Sequence, residues 1–534
     1  MSKLFLGLDS STQSLSAIVI DYDSRKVVYE HSLNFDQALP HYKTQNGVLP
    51  NADPLVKHSP PLMWAEALDL LFARMKKEGV RLGDVRAVSG SGQQHGSVYF
   101  NTRAAGALTK LNAQKSLVEN LRGVFSRATS PIWMDSSTSR ECGEIRRRLG
   151  GIRKTAQLTG SDAFERFTGP QIRKFYKTDR AAYEKTASIA LVSSFMASLL
   201  AGKIAPIDHG DGAGMNLMDI RKKAWLPEAL AATAPKLRAK LPPLADSWQV
   251  IGPVSSYFVK KYGLNPAARA LVWSGDNPCS IVGLGIVREG MTGISLGTSD
   301  TFFGPMARCR TDGRGEGHVF CSPTGDYMTL ICFKNGSLAR EKIRNTYGMD
   351  WNEFNQALAD TPPGNHGGIL LPWCESEIVP RVNVPGLHRE NLGAGEPSAN
   401  CRAVVEAQML AMRLHSQWMK VETRRIYATG GASANSAILQ VMADVMGCPV
   451  VRIQVSKSAA LGAALMAAYG WLAEEGEKPD WERVVSVFTA PMAKSEIKPN
   501  KKATRVYEKM LKAYAEFERA TLRRIAKVKS IATA

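Results

Sequence analysis

The chain has 534 residues, too many for a single hydrophobic core, so two or more domains are expected. Its 22% charged and 44% hydrophobic residues are typical of a soluble globular enzyme and exclude a disordered chain. The net charge is +19, no apolar run is long enough to span a membrane, and the eight cysteines form no Cys-x-x-Cys pair, which argues against a zinc site and a disulfide framework. Because the first residues carry no apolar signal core, we expect a cytoplasmic location.

The first 31 residues predict three strands joined by tight turns, at 4–8, 17–20 and 27–31. Consecutive strands joined in this way run antiparallel, so the sheet that contains them is mixed rather than purely parallel. Strand-like and helix-like runs alternate along the rest of the chain. The pattern therefore predicts an α/β fold.

The turn after the first strand carries an acid followed by hydroxyl and amide side chains, where a simple hairpin would have Asn-Gly or Asp-Gly. Asp9 is a candidate ligand for a hydrated Mg²⁺, which prefers one or two carboxylates plus phosphate oxygens. Ser11, Thr12 and Gln13 are candidate donors to a phosphate tail. The alternative is an ordinary hairpin with capping hydroxyls, which a single turn of this kind would favour.

Two segments of the first half are candidates for contact with a sugar. His95 lies in "SGSGQQHGSVYF", a strand, a glycine-rich turn and a second strand, where small neighbours leave room for a polyol. A lone histidine is more often structural or a surface residue. Arg166 lies in "ERFTGPQI", and an ion pair with Glu165 or another acid explains its charge equally well.

The order of elements repeats in the second half, and the change of half is predicted near Gly252, within the turn-rich stretch 247–270. Asp276 follows a strand in "LVWSGDNPCS". An acid at this place can accept the proton of a hydroxyl group that attacks phosphorus. An Asx-turn or a helix N-cap is the equally weighted alternative.

A second hairpin, "GISLGTSDTFFGPMA", repeats the scheme of the first. Gly297, Thr298 and Ser299 are its candidate phosphate contacts, and the recurrence favours a functional role for both turns. "YATGGASANS" then follows a strand and opens a helix, so Gly430 and Gly431 allow close approach of a flat ligand such as a nucleotide. A glycine turn in any βα unit is the alternative. Since neither a Walker P-loop nor a protein-kinase motif set is present, an ATP site needs another architecture.

The C-terminal tail holds much of the excess positive charge, with eleven Lys and Arg against three Glu from Lys498 onward. A nucleic-acid surface is one interpretation, but aromatic residues are not interleaved with the basic ones as a stacking platform requires. We favour a solvated basic surface with a tendency to bind phosphorylated small molecules. Apolar residues at helical intervals predict an amphipathic helix docked on the body: Val506, Met510, Ala513, Phe517 and Ala520.

In chain order, these and neighbouring motifs resemble the FGGY family of carbohydrate kinases, whose fold is similar to that of actin. The likeness covers roughly residues 4–470 and is closest to the branch that acts on D-xylulose in animals and plants. It is carried by "GLDSSTQS", "SGSGQQHGS", "PIWMDSST", "FERFTG", "PIDHGDGAGMNLMDI", "SGDNP", "SLGTSDT" and "ATGGASAN". Ser11 replaces a glycine of the wider family and Gln94 replaces the methionine of many bacterial members, and both changes fit that branch.

The resemblance implies two actin-like (ribonuclease H-like) ATPase domains with ATP and sugar in the cleft between them. It implies that residues 1–252 form the sugar-binding FGGY N-terminal domain. It likewise implies that residues 253–534 form the nucleotide-binding FGGY C-terminal domain. The basic amphipathic helix at the end of this domain is predicted from its periodicity alone, since the basic tail beyond Glu474 has no counterpart in the resemblance. Asp276 is implied as the catalytic base, and Trp351 is implied to lie by the adenine. The residues implied for the ketose are His95, Arg166, Asp276 and Asn277, and those implied for the nucleotide are Gly431, Ala432 and Asn435.

The activity implied by the resemblance is ATP-dependent phosphorylation of D-xylulose to D-xylulose 5-phosphate, with ATP and Mg²⁺ as cofactors. The expected partners are the sugar and ATP, without nucleic acid or a membrane, and a homodimer is compatible with the sequence. Two alternatives stay open. One is a kinase for another ketose or polyol such as ribulose, and the lower one is a non-catalytic ATP-driven clamp or nucleic-acid-binding module.

Overall fold

A computed structural model describes residues 3–453 and 455–532 of the chain, with side chains described as far as Lys527. Two compact units separate within this part of the chain. The first contains residues 3–287, Val319–Met328 and Val455–Ala490, and the second contains Arg288–His318, residues 329–453 and residues 491–532. The division predicted near Gly252 falls inside the first unit, because the strands on both sides of it pair in the same sheet.

The first unit is built on a seven-stranded mixed sheet. Its spatial order is β5-β6-β4-β1-β2-β3, with β7 also paired to β4. The β1–β2–β3 meander is antiparallel, as predicted, while β1, β6 and β7 each run parallel to β4. In chain order the strands are β1 (Leu4–Ser10), β2 (Ser14–Asp21), β3 (Lys26–Asn34), β4 (Val85–Gly92), β5 (Val250–Pro253), β6 (Arg269–Leu271) and β7 (Ser274–Gly275).

A second mixed sheet has six strands in the spatial order β10-β11-β9-β8-β12-β13. The strands β8 and β9 form an antiparallel hairpin, and β8 runs parallel to β12. The strands are β8 (Met291–Leu296), β9 (Asp300–Met306), β10 (His318–Cys321), β11 (Tyr327–Phe333), β12 (Arg425–Thr429) and β13 (Val450–Arg452). Each sheet therefore contains a hairpin whose first strand has a parallel neighbour, and this is the repeat seen in the sequence.

Helices alternate with the strands, which together with the two mixed sheets confirms the α/β fold. The principal helices are α1 (Pro61–Lys77), α2 (Ser139–Arg148), α3 (Thr168–Thr178), α4 (Val192–Ala201), α5 (Pro227–Thr233), α6 (Asp276–Gly283), α7 (Ser337–Thr346), α8 (Trp351–Asp360), α9 (Pro397–His415), α10 (Ser436–Met446), α11 (Ser458–Glu474) and α12 (Lys501–Ala532). Shorter elements include the strand pairs Ser97–Phe100 with Ser188–Leu191 and Ile369–Trp373 with Gly386–Glu390.

The position of α6 is set by close packing against α11. A Cβ built at Gly283 would lie 1.8 Å from the Ser458 carbonyl oxygen, and one built at Gly462 would lie 1.9 Å from that of Cys279. Only glycine allows the two backbones to approach so closely. The helix α6 begins directly after β7, so this packing fixes Asp276, its first residue, at the edge of the first sheet.

The predicted C-terminal amphipathic helix is confirmed as α12, but its buried face is rotated from the predicted one. Met510 and Phe517 are buried as expected, whereas Val506 is 41% exposed. Two tyrosines, which the apolar pattern left aside, set the rotation. The Tyr507 hydroxyl donates to Glu406 and accepts from Arg402, each at 2.6 Å. The predicted residues found exposed are Val506, Ala513 and Ala520, and the buried face consists of Ala503, Tyr507, Met510, Leu511, Tyr514, Phe517, Glu518 and Thr521.

Candidate active site

Asp9 lies at the end of β1, at the edge where β4 and β7 also end. Its register partner in β4 is Ser91, whose Oγ donates to Asp9 Oδ1 at 2.7 Å. Burial raises the pKa of Asp9 to about 7, against the lowering effect of the Ser91 hydrogen bond, and the negative charge of Asp276 raises it further. The first unit therefore brings together the predicted metal ligand and the predicted base.

Asp276 is the first residue of α6, and Gly275 before it is the N-cap, so the N-cap alternative is wrong. Its carboxylate accepts hydrogen bonds from the backbone N–H of Asn277, at 2.8 Å, and of Gln94. Burial nevertheless raises the pKa of Asp276 to about 6. A carboxylate with this pKa is ionised at neutral pH, so it is suited to accept a proton.

Two further carboxylates belong to the same region, and the sequence argument did not single them out. Asp208 accepts from Ser274 Oγ at 2.8 Å, and Asp211 accepts from Ser193 Oγ. Burial, followed by the charges of Asp208 and Asp276, raises the pKa of Asp211 well above its ordinary value. We call Asp9, Asp208, Asp211 and Asp276 the acid cluster. The only sequence signal for its two new members is the motif "PIDHGDGAGMNLMDI".

His95 is buried and neutral. Its Nδ1 lies 2.9 Å from the Gly214 carbonyl oxygen, which can only accept, so Nδ1 carries the proton and Nε2 is left as an acceptor. Burial and then the positive charge of Arg166 lower the pKa of His95 to about 3. The ring also packs on Phe167, with centroids 4.5 Å apart. His95 is therefore an uncharged hydrogen-bond acceptor at physiological pH.

Arg166 lies near His95 without the ion pair that was its alternative explanation. Within the described part of the chain it has no carboxylate partner, and Glu165 Oε1 instead accepts from Ser139 Oγ at 2.9 Å. The guanidinium of Arg166 lies 5.8 Å from the ring centroid of Phe164. Its charge is thus available to a polar ligand.

Gln94 and Asn277 form a pair that was missed as a pair, although each lies in a quoted motif. Asn277 Nδ2 donates to Gln94 Oε1 at 3.0 Å, which joins the loop after β4 to the start of α6. The Gln94 Nε2 atom, both amide atoms of Gln93 and Asp211 Oδ1 are buried without a hydrogen-bond partner among the described residues. Buried polar atoms of this kind need a partner, so a polar ligand or ordered water is expected beside them.

The first hairpin turn holds its three predicted phosphate donors in different ways. Ser11 Oγ donates to the Ser14 carbonyl oxygen at 2.9 Å, so this hydroxyl closes the turn. Thr12 Oγ1 accepts from Trp133 Nε1 at 2.8 Å, and the Gln13 side chain is exposed. Contact of these side chains with phosphate stays a prediction.

The turn between β8 and β9 leaves Thr298 and Ser299 exposed, while the Gly297 carbonyl oxygen accepts from Ser337 Oγ at 2.6 Å. Asp300 follows the turn and is fully buried. It forms a bidentate ion pair with Arg340, at 2.8 and 3.1 Å. The aspartate of this hairpin is therefore already neutralised within the protein.

Four residues predicted to contact the nucleotide line one cavity of about 490 Å³ in the second unit: Trp351, Gly431, Ala432 and Asn435. The Trp351 ring is 40% exposed, and the Arg344 guanidinium lies 4.4 Å from its centroid. Asn435 Nδ2 donates to Asn355 Oδ1 at 2.6 Å, and Asn435 Oδ1 caps α10. Segments about eighty residues apart thus build a pocket with one aromatic wall and one glycine-rich wall.

The oxygen donors near Asp9 fit a hydrated Mg²⁺. Asp9 and Asp276 repel one another, and a divalent cation would relieve this repulsion. Within the described residues no group of three or more His, Cys, Asp or Glu side chains is placed to hold a metal. Mg²⁺ needs only one or two carboxylates, since water and phosphate oxygens complete its shell. Contact of Asp9 with such an ion stays a prediction.

Comparison with protein families gives two adjoining matches. Residues 127–283 match the N-terminal domain of the FGGY family of carbohydrate kinases, and residues 293–471 match its C-terminal domain. The chain is similar to a xylulose kinase of Rattus norvegicus, with 42% identity over 97% of both chains. It is also similar to xylulose kinase 2 of Arabidopsis thaliana, with 44% identity over 88% of this chain and 87% of the relative.

Solved structures share the fold. A xylulose kinase from Rhodospirillum rubrum is 19% identical, with a TM-score of 0.80 over 98% of this chain and 99% of the other. A glycerol kinase from Plasmodium falciparum is 17% identical, with a TM-score of 0.76 over 98% of each chain. No helix within the described residues is both long and apolar enough to cross a membrane.

Proposed function

Because this chain belongs to the FGGY family of carbohydrate kinases, we propose that it catalyses ATP-dependent phosphorylation of D-xylulose to D-xylulose 5-phosphate. The observation that carries the choice of sugar is the near full-length similarity to the rat and Arabidopsis xylulose kinases. The geometry that supports the chemistry is an ionisable, half-buried Asp276 near buried polar atoms that have no hydrogen-bond partner among the described residues.

Asp276 acts as the general base in this proposal. Its carboxylate accepts the proton of the terminal hydroxyl of the sugar while that oxygen forms a bond to the γ-phosphorus, and the bond from phosphorus to ADP breaks. The backbone N–H groups of Asn277 and Gln94 hold the carboxylate in place. A pKa of about 6 keeps Asp276 ionised at neutral pH, so the base is ready before substrate binds.

The polar groups near Asp276 select a polyol. His95 Nε2 accepts from a sugar hydroxyl, and Arg166 and Asn277 donate to sugar oxygens. Each buried polar atom left unpaired costs about 1–3 kcal/mol, so a ligand lacking the matching hydroxyl groups is rejected. The amide atoms of Gln93 and Gln94 add to this requirement.

The nucleotide is proposed to lie with its base in the cavity lined by Trp351, Gly431, Ala432 and Asn435. The cavity volume of about 490 Å³ and its aromatic side are of the size and character typical of small-molecule sites. The phosphates are proposed to contact the two polar turns. Their candidate contacts are Ser11, Thr12 and Gln13 in the first turn and Gly297, Thr298 and Ser299 in the second.

Asp9 would hold Mg²⁺, which when bound neutralises charge on the phosphate oxygens. The pKa of about 7 means that Asp9 is only partly ionised at neutral pH without a cation. The hydrogen bond from Ser91 favours the ionised form and orients the carboxylate.

We further propose that the protein is located in the cytoplasm. We also propose a homodimer as its assembly. All eight cysteines are free thiols, which suits a reducing compartment. We also propose that sugar contacts lie in the first unit, which contains His95, Arg166, Asp276 and Asn277, and nucleotide-base contacts in the second.

A coupled assay of ADP formation tests the function directly. D-xylulose should give the highest kcat/KM when it is compared with D-ribulose and other five-carbon ketoses under the same conditions. A higher kcat/KM with ribulose would reassign the substrate. ATP turnover that no sugar stimulates, together with salt-sensitive binding to DNA, would instead favour the clamp or nucleic-acid-binding alternative.

A further inference from the structure

We propose that a cavity of the first unit between α2, α3 and α5 binds a small phosphorylated molecule through its phosphate groups. The cavity has a volume of about 770 Å³, and none of its lining residues belongs to the acid cluster or contacts it. The site is therefore additional to the proposed active site and does not depend on which sugar is phosphorylated. Its basic side chains are Arg148, Arg173, Lys177, Lys236 and Arg238.

Two of the five cations are already neutralised. Arg173 Nε lies 2.6 Å from Glu144, and Lys177 Nζ lies 2.6 Å from Glu141 and 3.1 Å from Glu144. Burial disfavours the charge of Glu144, but these two partners hold its pKa at about 2. Arg173 also donates to the last carbonyl groups of α5, so this pair of cations ties α3 to α2 and α5.

The other three cations lack an acidic partner within the described residues. Arg148 reaches only the carbonyl oxygens of Ala231 and Ala232, at 3.4 Å, and Arg238 reaches the carbonyl oxygen of Leu241 at 3.1 Å. Lys236 makes no side-chain hydrogen bond within the described residues and adopts the left-handed conformation, with φ of 55°. The cavity therefore keeps three positive charges that no acidic side chain of the described residues pairs with.

The positive charge of Lys236 also acts on a neighbouring lysine, Lys240. Burial and then the positive charge of Lys236 lower the pKa of Lys240, and the negative charge of Glu184 acts in the opposite direction. A bound anion would relieve the repulsion between these groups. Several fixed positive charges around one concave site favour a ligand with more than one negative charge, and phosphate is the commonest such group.

The cavity also offers aromatic and apolar surface. Trp225 and Tyr176 line it, and Trp225 Nε1 is held by the Pro242 carbonyl oxygen at 2.9 Å. Leu230 and Leu237 contribute apolar side chains to the same lining. A ligand that joins phosphate to a ring or a base therefore fits better than inorganic phosphate alone. Nucleotides and sugar phosphates share this chemistry.

Isothermal titration calorimetry with inorganic pyrophosphate tests the site, because this probe carries the charge but neither a sugar nor a base. In the charge-reversal variant Lys236→Glu/Arg238→Glu the Kd should rise at least about tenfold. The matched control is Lys110→Glu/Arg122→Glu, which changes the net charge equally at exposed positions outside the cavity. Its Kd should stay within about twofold of the unaltered protein.

Two other outcomes of the titration would overturn the site. Equal loss of binding in both double variants would show an effect of net charge alone and overturn the site. Unchanged binding in both would place pyrophosphate elsewhere, for example at the proposed nucleotide site, and would also overturn it. If the double variant fails to fold, Arg148→Gln, which removes one exposed cation, should weaken pyrophosphate at least threefold, and an unchanged Kd would contradict the proposal.

Two further titrations separate the sources of the phosphate. If the ligand is a nucleotide, ADP should bind this cavity, and Lys236→Glu/Arg238→Glu should raise the Kd of that binding. Tyr176→Leu should also raise the Kd for ADP, because the base stacks on this ring. If the ligand is a sugar phosphate, ribose 5-phosphate should depend on the same two cations but not on Tyr176. If the double variant binds both ADP and ribose 5-phosphate as tightly as the unaltered protein, both sources of the phosphate are rejected, and the proposal is rejected with them.

Discussion

The two hairpins that repeat in this chain treat their aspartates in opposite ways. In the first, Asp9 precedes the turn, has no cation beside it within the described residues, and has a pKa raised to about 7. In the second, Asp300 follows the turn and is paired with Arg340 through two hydrogen bonds, which oppose the rise that burial causes in the pKa of Asp300. The same sequence scheme thus yields one aspartate left free for a ligand and one used to hold the structure together.

The difference comes from what each sheet edge places beside the acid. The first edge adds further carboxylates, Asp208, Asp211 and Asp276, so negative charge accumulates. The second adds one buried arginine, itself held by Gln408 at 2.6 Å. Unrelieved charge is unfavourable for folding and is found at sites that bind ligands, whereas a closed ion pair serves structure. A ligand-binding and catalytic site is therefore expected at the first hairpin.

The largest effect is expected for Asp276→Ala. Loss of the general base should lower kcat with D-xylulose by ~10²–10⁴. A coupled assay of ADP formation measures this, with circular dichroism and the melting temperature as controls for folding. Near-normal turnover would show that Asp276 is not the general base.

The pH dependence of kcat/KM in the unaltered protein tests the same role of Asp276. Because the base must be ionised, kcat/KM should be flat at high pH and fall up to tenfold per pH unit below about pH 6. A second ionisation near pH 7 is expected from Asp9 if it must be ionised to hold the cation. A rate that rises as the pH falls would contradict both assignments.

Arg340→Leu tests the structural half of the comparison. This change leaves Asp300 buried without a counter-charge, and its expected cost is about 3–5 kcal/mol of folding free energy. Urea unfolding followed by circular dichroism should show a lower midpoint. The double variant Arg340→Leu/Asp300→Leu should recover much of the loss, since no unpaired charge remains. Equal stability of the single variant and the unaltered protein would show that the ion pair is not structural.

His95→Ala should raise the KM for D-xylulose about tenfold, with little effect on the slow hydrolysis of ATP in the absence of sugar. The pKa of about 3 adds a sharper expectation, because His95 stays neutral above pH 5 and its removal should not shift the pH profile. An unchanged KM would remove His95 from the sugar site. A lost ionisation near pH 6 would show that the histidine, and not an aspartate, titrates there.

The sequence predicted the backbone of both hairpins but not their electrostatics. Apolar alternation and tight turns specify the meander of β1 to β3, and these strands are confirmed. Arg340 lies forty residues beyond Asp300 on a helix, and no spacing rule links them. No spacing rule links Asp211 to Asp9 or Asp276 either, and only the folded chain brings it into the acid cluster. Tertiary ion pairs and clusters between distant segments have no local pattern, so the structure was needed to find them.

The C-terminal helix shows the same limit on a smaller scale. Its existence and amphipathic character followed from 3.6-residue periodicity. The orientation did not, because Tyr507 and Tyr514 bury their rings, and Tyr507 also donates its hydroxyl group to Glu406. An apolar count that leaves tyrosine aside therefore rotates the predicted face. By contrast, the resemblance to the family named four residues that the structure brings to a single cavity, from segments that no local rule connects.

The smallest expected effect is the most diagnostic of the comparison: Asp9→Asn should stabilise the protein while impairing the reaction. In the folded protein Asp9 has a pKa of about 7, against an ordinary value of 3.8, so above pH 7 its ionised form destabilises the fold. Asparagine keeps the shape without the charge and still accepts the hydrogen bond from Ser91. The gain at pH 8 should be about 1–2 kcal/mol, below the full conversion of the pKa shift because the side chain is partly exposed.

The sign of the pH dependence separates this cause from a general packing effect. The penalty from Asp9 is complete above the folded pKa and declines as the pH falls from about 7 toward 3.8, so the advantage of Asp9→Asn should shrink between pH 8 and pH 5. Asp300→Asn is the matched control, and it should lower stability at both pH values because it leaves Arg340 buried without its partner. Thermal unfolding of the two variants at pH 5 and pH 8 measures both. If both substitutions destabilise the protein equally, the two aspartates are equivalent structural residues. That result would contradict the unpaired Asp9 carboxylate on which the proposed site depends.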